Sequence, residues 1–159
     1  MKSVLIIGMG RLGHHLCKNL AEMGNEVMIV DRDEESMQDL LSVAMMAKVG
    51  DCTKEDVLRS LGVGNFDICF VCISSDFQSS LEITSLLKEL GAAYVVSKAN
   101  RDIQAKFLLR NGADEVIYPE RDVAERAAIK YGSNKVFDYI EMAEGYSILE
   151  IPPMHGWIG

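Results

Sequence analysis

The sequence lacks any long hydrophobic run. No apolar stretch approaches the roughly 18 residues that span a bilayer, so we expect no direct membrane insertion. Clusters of basic residues are also missing. With 16 Lys and Arg against 24 Asp and Glu, the net charge is -8, which argues against nucleic acid as a partner. The apolar stretch near the amino terminus is too short for a signal peptide. These absences predict a cytoplasmic protein.

Signatures of metal and disulfide sites are scarce as well. Of the 4 cysteines, Cys69 and Cys72 form a C-x-x-C pattern inside the apolar run 68–73, which predicts a strand. Residues three apart on a strand point to opposite faces, so we predict two buried thiols that share neither a metal nor a disulfide. His14 and His15 have no acid or cysteine at ligand spacing, which argues against a metal site there.

The length of 159 residues, with 48% apolar and 25% charged residues, is typical of one folded domain. Apolar runs alternate with segments of helical periodicity. We predict six strands, at 3–7, 27–30, 45–49, 67–73, 94–97 and 115–118. Helices are predicted between them, at 11–23, 33–43, 54–61, 77–90 and 102–110. This alternation predicts an α/β fold, a Rossmann-like doubly wound parallel sheet in the strand order 3-2-1-4-5-6.

The pattern changes after residue 118. Residues 120–131 and 135–142 have the periodicity of two helices, and a glycine-containing break separates them, so we predict a helix-turn-helix extension. Residues 146–151 alternate like a strand. The helices at 77–90 and 102–110 carry more apolar residues than one stripe against the sheet requires. We therefore predict at least a dimer; the alternative is that the later helices fold back over these faces.

One motif points to a ligand. After the first strand the chain reads Gly8-Met9-Gly10-Arg11-Leu12-Gly13, which matches G-x-G-x-x-G between a strand and a helix. Gly8 permits the tight turn, Gly10 lets the backbone approach phosphates, and Gly13 allows close packing of helix on strand. The helix amino terminus then presents N–H groups to a pyrophosphate. The context therefore predicts a nucleotide-binding loop.

Asp31 and Arg32, which follow the second predicted strand, bear on which nucleotide binds. Asp31 is placed to accept hydrogen bonds from both ribose hydroxyls, and its charge would repel a 2′-phosphate, which disfavours NADP. Arg32 could bind such a phosphate, stack on adenine or lie in solvent.

The ends of the third and fourth strands add further candidates, because ligands in such sheets bind beyond the carboxyl ends of the strands. These candidates are Asp51, Cys52, Ser74 and Ser75. Thr53 either joins the adenine end of the site or caps the following helix. For the helix at 77–90, Ser75 or Asp76 either contacts the ligand or serves as the cap.

An enzyme would need catalytic groups beside the nucleotide. Tyr131 and Lys135 fit the Y-x-x-x-K pair of short-chain dehydrogenases, but Gly132 and Asn134 interrupt the helix that this pair requires. The sequence has no nucleophile elbow, Walker lysine or zinc signature. We therefore predict a binding domain and no enzyme. The alternative is the truncated cofactor domain of an NAD-dependent oxidoreductase.

Several motifs together resemble one family. They are the glycine loop with Asp31-Arg32-Asp33, then Gly50-Asp51-Cys52-Thr53, Lys98-Ala99-Asn100 and the segment 112–120, which reads G-A-D-E-V-I-Y-P-E. The chain resembles, over about residues 1–140, the regulator-of-potassium-conductance (RCK) N-terminal domain of Trk and Ktr potassium-uptake systems. The resemblance implies a cytosolic regulatory domain that pairs, assembles into rings under a potassium-translocating membrane protein and gates it by nucleotide exchange.

The same resemblance implies roles for individual residues. Arg11 matches an arginine that meets the terminal phosphate in ATP/ADP-binding members, so ATP or ADP is preferred and NAD(H) is the alternative. Lys98 joins the nucleotide-binding residues, and Glu120 matches a position that helps bind a divalent cation near the dimer interface. The expected organisation is a Rossmann-like nucleotide-binding domain at 1–118, a helical crossover and dimerisation segment at 119–145, and the start of a C-terminal domain at 146–159.

Overall fold

The computed structural model describes residues 1–133. Its centre is a 6-stranded sheet in the order β3-β2-β1-β4-β5-β6, and every neighbouring pair of strands is parallel. The strands are β1 Ser3–Ile7, β2 Glu26–Asp31, β3 Met46–Val49, β4 Ile68–Val71, β5 Val95–Lys98 and β6 Glu115–Ile117. The predicted fold and strand order are confirmed. The central strands are apolar on both sides because helices cover both faces of a parallel sheet.

Five α-helices are described: α1 Arg11–Glu22, α2 Glu55–Leu61, α3 Phe77–Glu89, α4 Asp102–Arg110 and α5 Pro119–Gly132. The predicted helix at 33–43 is wrong, because Glu34–Leu40 forms a 3₁₀ helix. Its two buried residues, Met37 and Leu40, are three apart, which is the spacing that aligns side chains on a 3₁₀ helix. The Asp33 side chain caps it by accepting a hydrogen bond from the Glu35 N–H at 3.1 Å.

The core consists mainly of one apolar cluster on each face of the sheet. One cluster joins the sheet to α2 and α3 and contains Cys69, and the other joins it to α1 and the 3₁₀ helix and contains Cys72. The predicted separation of these two thiols is therefore confirmed. Both cysteines are buried and unpaired, and burial raises the pKa of each to about 12.

The two helices expected to carry surplus apolar surface differ in outcome. The apolar residues of α3 are covered: Ile83 and Leu87 lie in the core, and Leu81 packs in a third cluster with α4. In contrast, α4 leaves Ile103 and Phe107 each 44% exposed. Of the two, therefore, α4 is the helix with unburied apolar side chains.

Pro119 opens a second compact unit, of which α5 is described. Its first turn contains the acidic residues Glu120 and Asp122. The predicted helix at 135–142 and strand at 146–151 lie outside the described residues, and the three-part division of the chain stays a prediction. Among residues 1–133, none of the helices has both the length and the apolar character needed to cross a membrane.

A candidate nucleotide site at the carboxyl end of the sheet

A cavity of about 300 Å³ lies beyond the carboxyl ends of β1, β2 and β4. Strand order reverses between β1 and β4, so the cavity occupies the position where α/β sheets bind their ligands. Its lining includes most of the candidate ligand-binding residues that the sequence singles out. These are Gly8, Met9, Gly10, Asp31, Arg32, Asp51, Cys52, Thr53, Ser74, Ser75 and Asp76.

The glycine loop forms one wall of this cavity. Gly8 has φ +98, and a Cβ there would lie 3.0 Å from the Cys72 backbone, so both its conformation and its surroundings require glycine. A Cβ on Gly13 would overlap the Gly8 carbonyl oxygen. Gly10 differs, because a Cβ there would meet only the Ser74 hydroxyl oxygen within 4 Å, at 3.5 Å. The fold thus requires Gly8 and Gly13, whereas Gly10 leaves open space toward the cavity.

The amino terminus of α1 begins at this loop. Gly10 is its N-cap residue, no side chain caps the helix, and its first turn contains no acidic residue. Backbone N–H groups at such a terminus, together with the helix dipole, favour an anion. The loop is therefore suited to a phosphate group.

Asp31 ends β2 at the cavity wall. Its Oδ2 accepts a hydrogen bond from the Met9 N–H at 2.7 Å, and its Oδ1 accepts one from the Asp33 N–H at 2.8 Å. These two bonds hold the carboxylate in one orientation and join β2 to the glycine loop. Because an ionised carboxylate has about four acceptor positions, the group retains capacity for ribose hydroxyls.

The segment after β3 forms a second acidic part of the wall. The Thr53 hydroxyl and N–H both donate to Asp51 Oδ1, at 2.7 and 3.0 Å. These bonds, the hydroxyl bond above all, lower the pKa of Asp51. The N-cap alternative for Thr53 is wrong, because Lys54 occupies that position before α2. Cys52 is buried in the wall, and burial raises the pKa of its thiol to about 12.

The segment after β4 completes the lining. Asp76 is the N-cap of α3 and accepts hydrogen bonds from the Ser79 N–H at 3.3 Å and the Ser79 hydroxyl at 2.8 Å. The capping alternative is thus confirmed for Asp76. Bonds from Ser79 also lower the pKa of Asp76. Ser74 and Ser75 line the cavity without capping the helix.

Four sequence-predicted residues do not line the cavity. Arg11 is exposed in the first turn of α1, beside a shallow second concavity lined also by Lys18. Leu12 packs against the core, and Lys98 lies behind Ser74. Gly13 is buried beneath the loop.

Glu120 lies in the first turn of α5. Within the part of the chain that the structure describes, no group of three or more His, Cys, Asp and Glu residues is arranged to hold a metal ion.

One contact beside the loop is not evident from the sequence. His14 Nδ1 lies 3.1 Å from the Gly10 carbonyl oxygen, and its Nε2 lies 3.0 Å from Asp39 Oδ1. Both partners are acceptors, so only the protonated ring donates to both. Desolvation lowers the pKa of His14, but the bonds to Asp39 and Gly10 outweigh it and raise that pKa overall. The Gly10 contact follows from helical spacing, whereas the path of the 3₁₀ helix brings in Asp39.

Comparison with known proteins agrees with this geometry. The family model described as the TrkA-N domain matches residues 4–119. This chain belongs to the TrkA-N family. The match confirms the resemblance that the motifs indicate.

Among curated relatives, this TrkA-N chain is 43% identical over 150 residues to Ktr system potassium uptake protein C of Bacillus subtilis (strain 168), covering 94% of this chain and 68% of that protein. It is 38% identical over 150 residues to Ktr system potassium uptake protein A of the same organism, with the same coverage of 94% and 68%.

Solved structures share the TrkA-N fold at low sequence identity. The NAD(P)-binding domain of an exopolyphosphatase-related protein from Archaeoglobus fulgidus has a TM-score of 0.72 at 22% identity, covering 82% of this chain and 97% of that one. The GsuK structure bound to ADP has a TM-score of 0.67 at 17% identity, covering 81% of this chain and 34% of that one. The GsuK channel bound to NAD has a TM-score of 0.67 at 17% identity, covering 79% and 23%.

Proposed function

We propose that this TrkA-N domain is the nucleotide-binding regulatory domain of a potassium-uptake system, whose conformation switches with the nucleotide bound. The observation that carries the nucleotide part is the cavity between the glycine loop and Asp31, where an uncapped helix terminus faces a fixed carboxylate. The transport part is supported by 43% identity to a potassium uptake protein over 94% of the chain. The role is regulatory, and we propose no catalytic activity.

The ligand is an adenine nucleotide, with ATP or ADP preferred over NAD(H). Asp31 would hold the ribose and the loop at Gly10 the phosphates, an arrangement common to both kinds of ligand. The preference rests on Arg11, whose exposed position in the first turn of α1 suits the end of a polyphosphate that extends beyond the cavity. Related folds include GsuK structures bound to ADP and to NAD, so both ligands belong in the test.

The partners proposed are a second copy of this chain, a larger ring and a potassium-translocating membrane protein that holds the ring at the cytoplasmic face of the membrane. The exposed Ile103 and Phe107, one turn apart on α4, support self-association, because exposed apolar patches mark interfaces. Glu120 would contribute to a divalent-cation site in that assembly. Light scattering tests the pairing: a mass of 17.6 kDa with and without nucleotide would contradict it.

Calorimetric titration of the purified chain with ATP, ADP, NAD and NADH tests the ligand. Asp31→Ala should weaken every ribose-bearing ligand by about 1.5–3 kcal/mol, because it removes hydrogen bonds to a charged acceptor. Asp56→Ala is the matched control, since it removes an exposed acid of α2 that does not line the cavity. Unchanged affinity in Asp31→Ala would contradict the placement of the ribose.

Arg11→Ala separates the two ligand classes. If Arg11 meets a terminal phosphate, ATP affinity should fall by roughly tenfold or more, the effect of one charged hydrogen bond, while NAD affinity changes little. Lys18→Ala removes an exposed cation from the same helix and controls for general electrostatics. Equal losses for ATP and NAD would remove the basis for preferring ATP, and a hundredfold preference for NADH would overturn the assignment.

A further inference from the structure

Two side chains at the carboxyl end of β5, those of Lys98 and Asn100, donate hydrogen bonds to Ser74 in the cavity wall. Lys98, the last residue of β5, is partly buried, and its Nζ donates a hydrogen bond to the Ser74 hydroxyl oxygen at 2.8 Å. Asn100 Nδ2 donates to the Ser74 carbonyl oxygen at 3.4 Å. Ser74 itself lines the cavity, whereas neither Lys98 nor Asn100 does. Ser74 therefore lies between Lys98 and the cavity.

The chemistry of the lysine fixes the role of the serine. An ammonium group carries three donors and no acceptor, so the Ser74 oxygen must accept in this bond. The serine hydrogen then remains available for another acceptor. A hydrogen bond from a charged donor also polarises the hydroxyl, and chains of this kind strengthen one another.

The position of Ser74 indicates which acceptor this is. Its hydroxyl oxygen lies 3.5 Å from the place that a Cβ on Gly10 would occupy, so it borders the space that Gly10 leaves open in the loop. The backbone N–H groups at the start of α1, which no side chain caps, would donate to an anion from the same loop. A phosphate oxygen would accept from both kinds of donor and would be favoured by the lysine charge behind them.

We propose that Lys98 is a positioning residue, which orients and polarises the Ser74 hydroxyl as a donor to a phosphate of the bound nucleotide without touching the nucleotide itself. The proposal rests on the proposed function and sharpens it, because it ties the affinity for the phosphate part of the ligand, and not for the adenosine part, to a residue outside the cavity.

A double-mutant cycle tests the relay, with ADP and adenosine as the two probes. Lys98→Met and Ser74→Ala should each weaken ADP by about tenfold, the effect of one hydrogen bond to a charged group. The double variant should lose no more than the worse single variant, because both changes break the same relay. Adenosine affinity should stay unchanged throughout. Lys98→Arg, which also only donates, should restore most of the ADP affinity.

Each outcome has a distinct meaning. Additive losses in the double variant would show that Lys98 contacts the nucleotide directly, and equal losses for adenosine would show general damage to the site; either result overturns the relay. Lys106→Met, an exposed lysine on α4, is the matched control and should bind ADP like the wild type. If the wild type binds ADP and Lys98→Met binds it equally well, the relay is overturned but the proposed function is not. Failure of the wild type to bind any of the nucleotides overturns the proposed function as well.

Discussion

The two ends of the parallel sheet use polar side chains for different purposes. At the amino ends of the strands, polar groups bond to the protein itself. Asp67 accepts from the Ser3 N–H at 2.8 Å, and Asp114 accepts from the Val95 N–H at 2.8 Å and from Lys88 at 2.9 Å. At the carboxyl ends, Asp31 and its neighbours surround a cavity of about 300 Å³. At the amino ends the polar groups serve stability alone, whereas at the carboxyl ends the acids that bond to the protein also line the cavity that we propose binds the nucleotide.

Substitutions of Gly13 and Gly10 should have the largest effects, and they should separate stability from nucleotide binding. Gly13→Ala should destabilise the domain by about 3 kcal/mol or more, because the new Cβ overlaps the Gly8 carbonyl oxygen in a buried, packed position. Gly10→Ala should cost less than about 1 kcal/mol of stability, since its Cβ meets only a hydroxyl at 3.5 Å, yet it should abolish nucleotide binding. Urea unfolding and ADP titration measure the two effects. Similar unfolding free energies for both variants would contradict the distinction.

At the other end of the sheet, Asp114→Ala should lower stability by about 1–3 kcal/mol, because the Val95 N–H and Lys88 lose a shared charged acceptor. Its ADP affinity should equal that of the wild type. Desolvation raises the pKa of Asp114, but the bonds from Lys88 and Val95 outweigh it and lower that pKa. This stabilisation is therefore present above the ordinary carboxyl pKa and is lost as the pH falls through the lowered value.

Acid unfolding followed by circular dichroism checks the result for Asp114. The variant should lose less stability than the wild type between neutral and strongly acidic pH, and Asp102→Ala, on a helix at the carboxyl side of β5, provides the comparison. A fall in ADP affinity with Asp114→Ala would show that the two ends of the sheet are coupled.

The smallest effect should come from His14, which links the carboxyl-end loop to the 3₁₀ helix. Its pKa is raised from 6.5, so its contribution to stability is complete below that value and is lost as the pH rises through the raised pKa. His14 also lowers the pKa of Asp39, so both members of the pair are charged between the lowered pKa of Asp39 and the raised pKa of His14. His14→Ala should therefore lower the unfolding temperature slightly at pH 6 and not at pH 9. His15→Ala, on an exposed neighbour, should show no such pH dependence.

The fold was predictable because its signals are local. Buried strands appear as apolar runs, and a glycine loop between strand and helix marks where the ligand edge lies. The 3₁₀ helix was missed because Met37 and Leu40 suit either helix type, and the packing of that segment decides between them. The placement of Lys98 behind Ser74 and the contact of His14 with Asp39 depend on side chains far apart in sequence, which no local pattern reports.

The reactivity of the four buried cysteines can report local opening of the molecule. Cys17 lies on the buried side of α1, and Cys69 and Cys72 lie on opposite faces of the sheet. Cys52 and Cys72 both line the cavity. Each of the four has a raised pKa, so a thiol reagent must wait for the surrounding layer to open before it meets a reactive thiolate. The modification rates of the four thiols therefore rank the free energies of local opening around them, without any introduced cysteine or label. Nucleotide should slow the reactions of Cys52 and Cys72, which line the cavity, more than those of Cys17 and Cys69, so thiol modification would report the occupancy of the cavity.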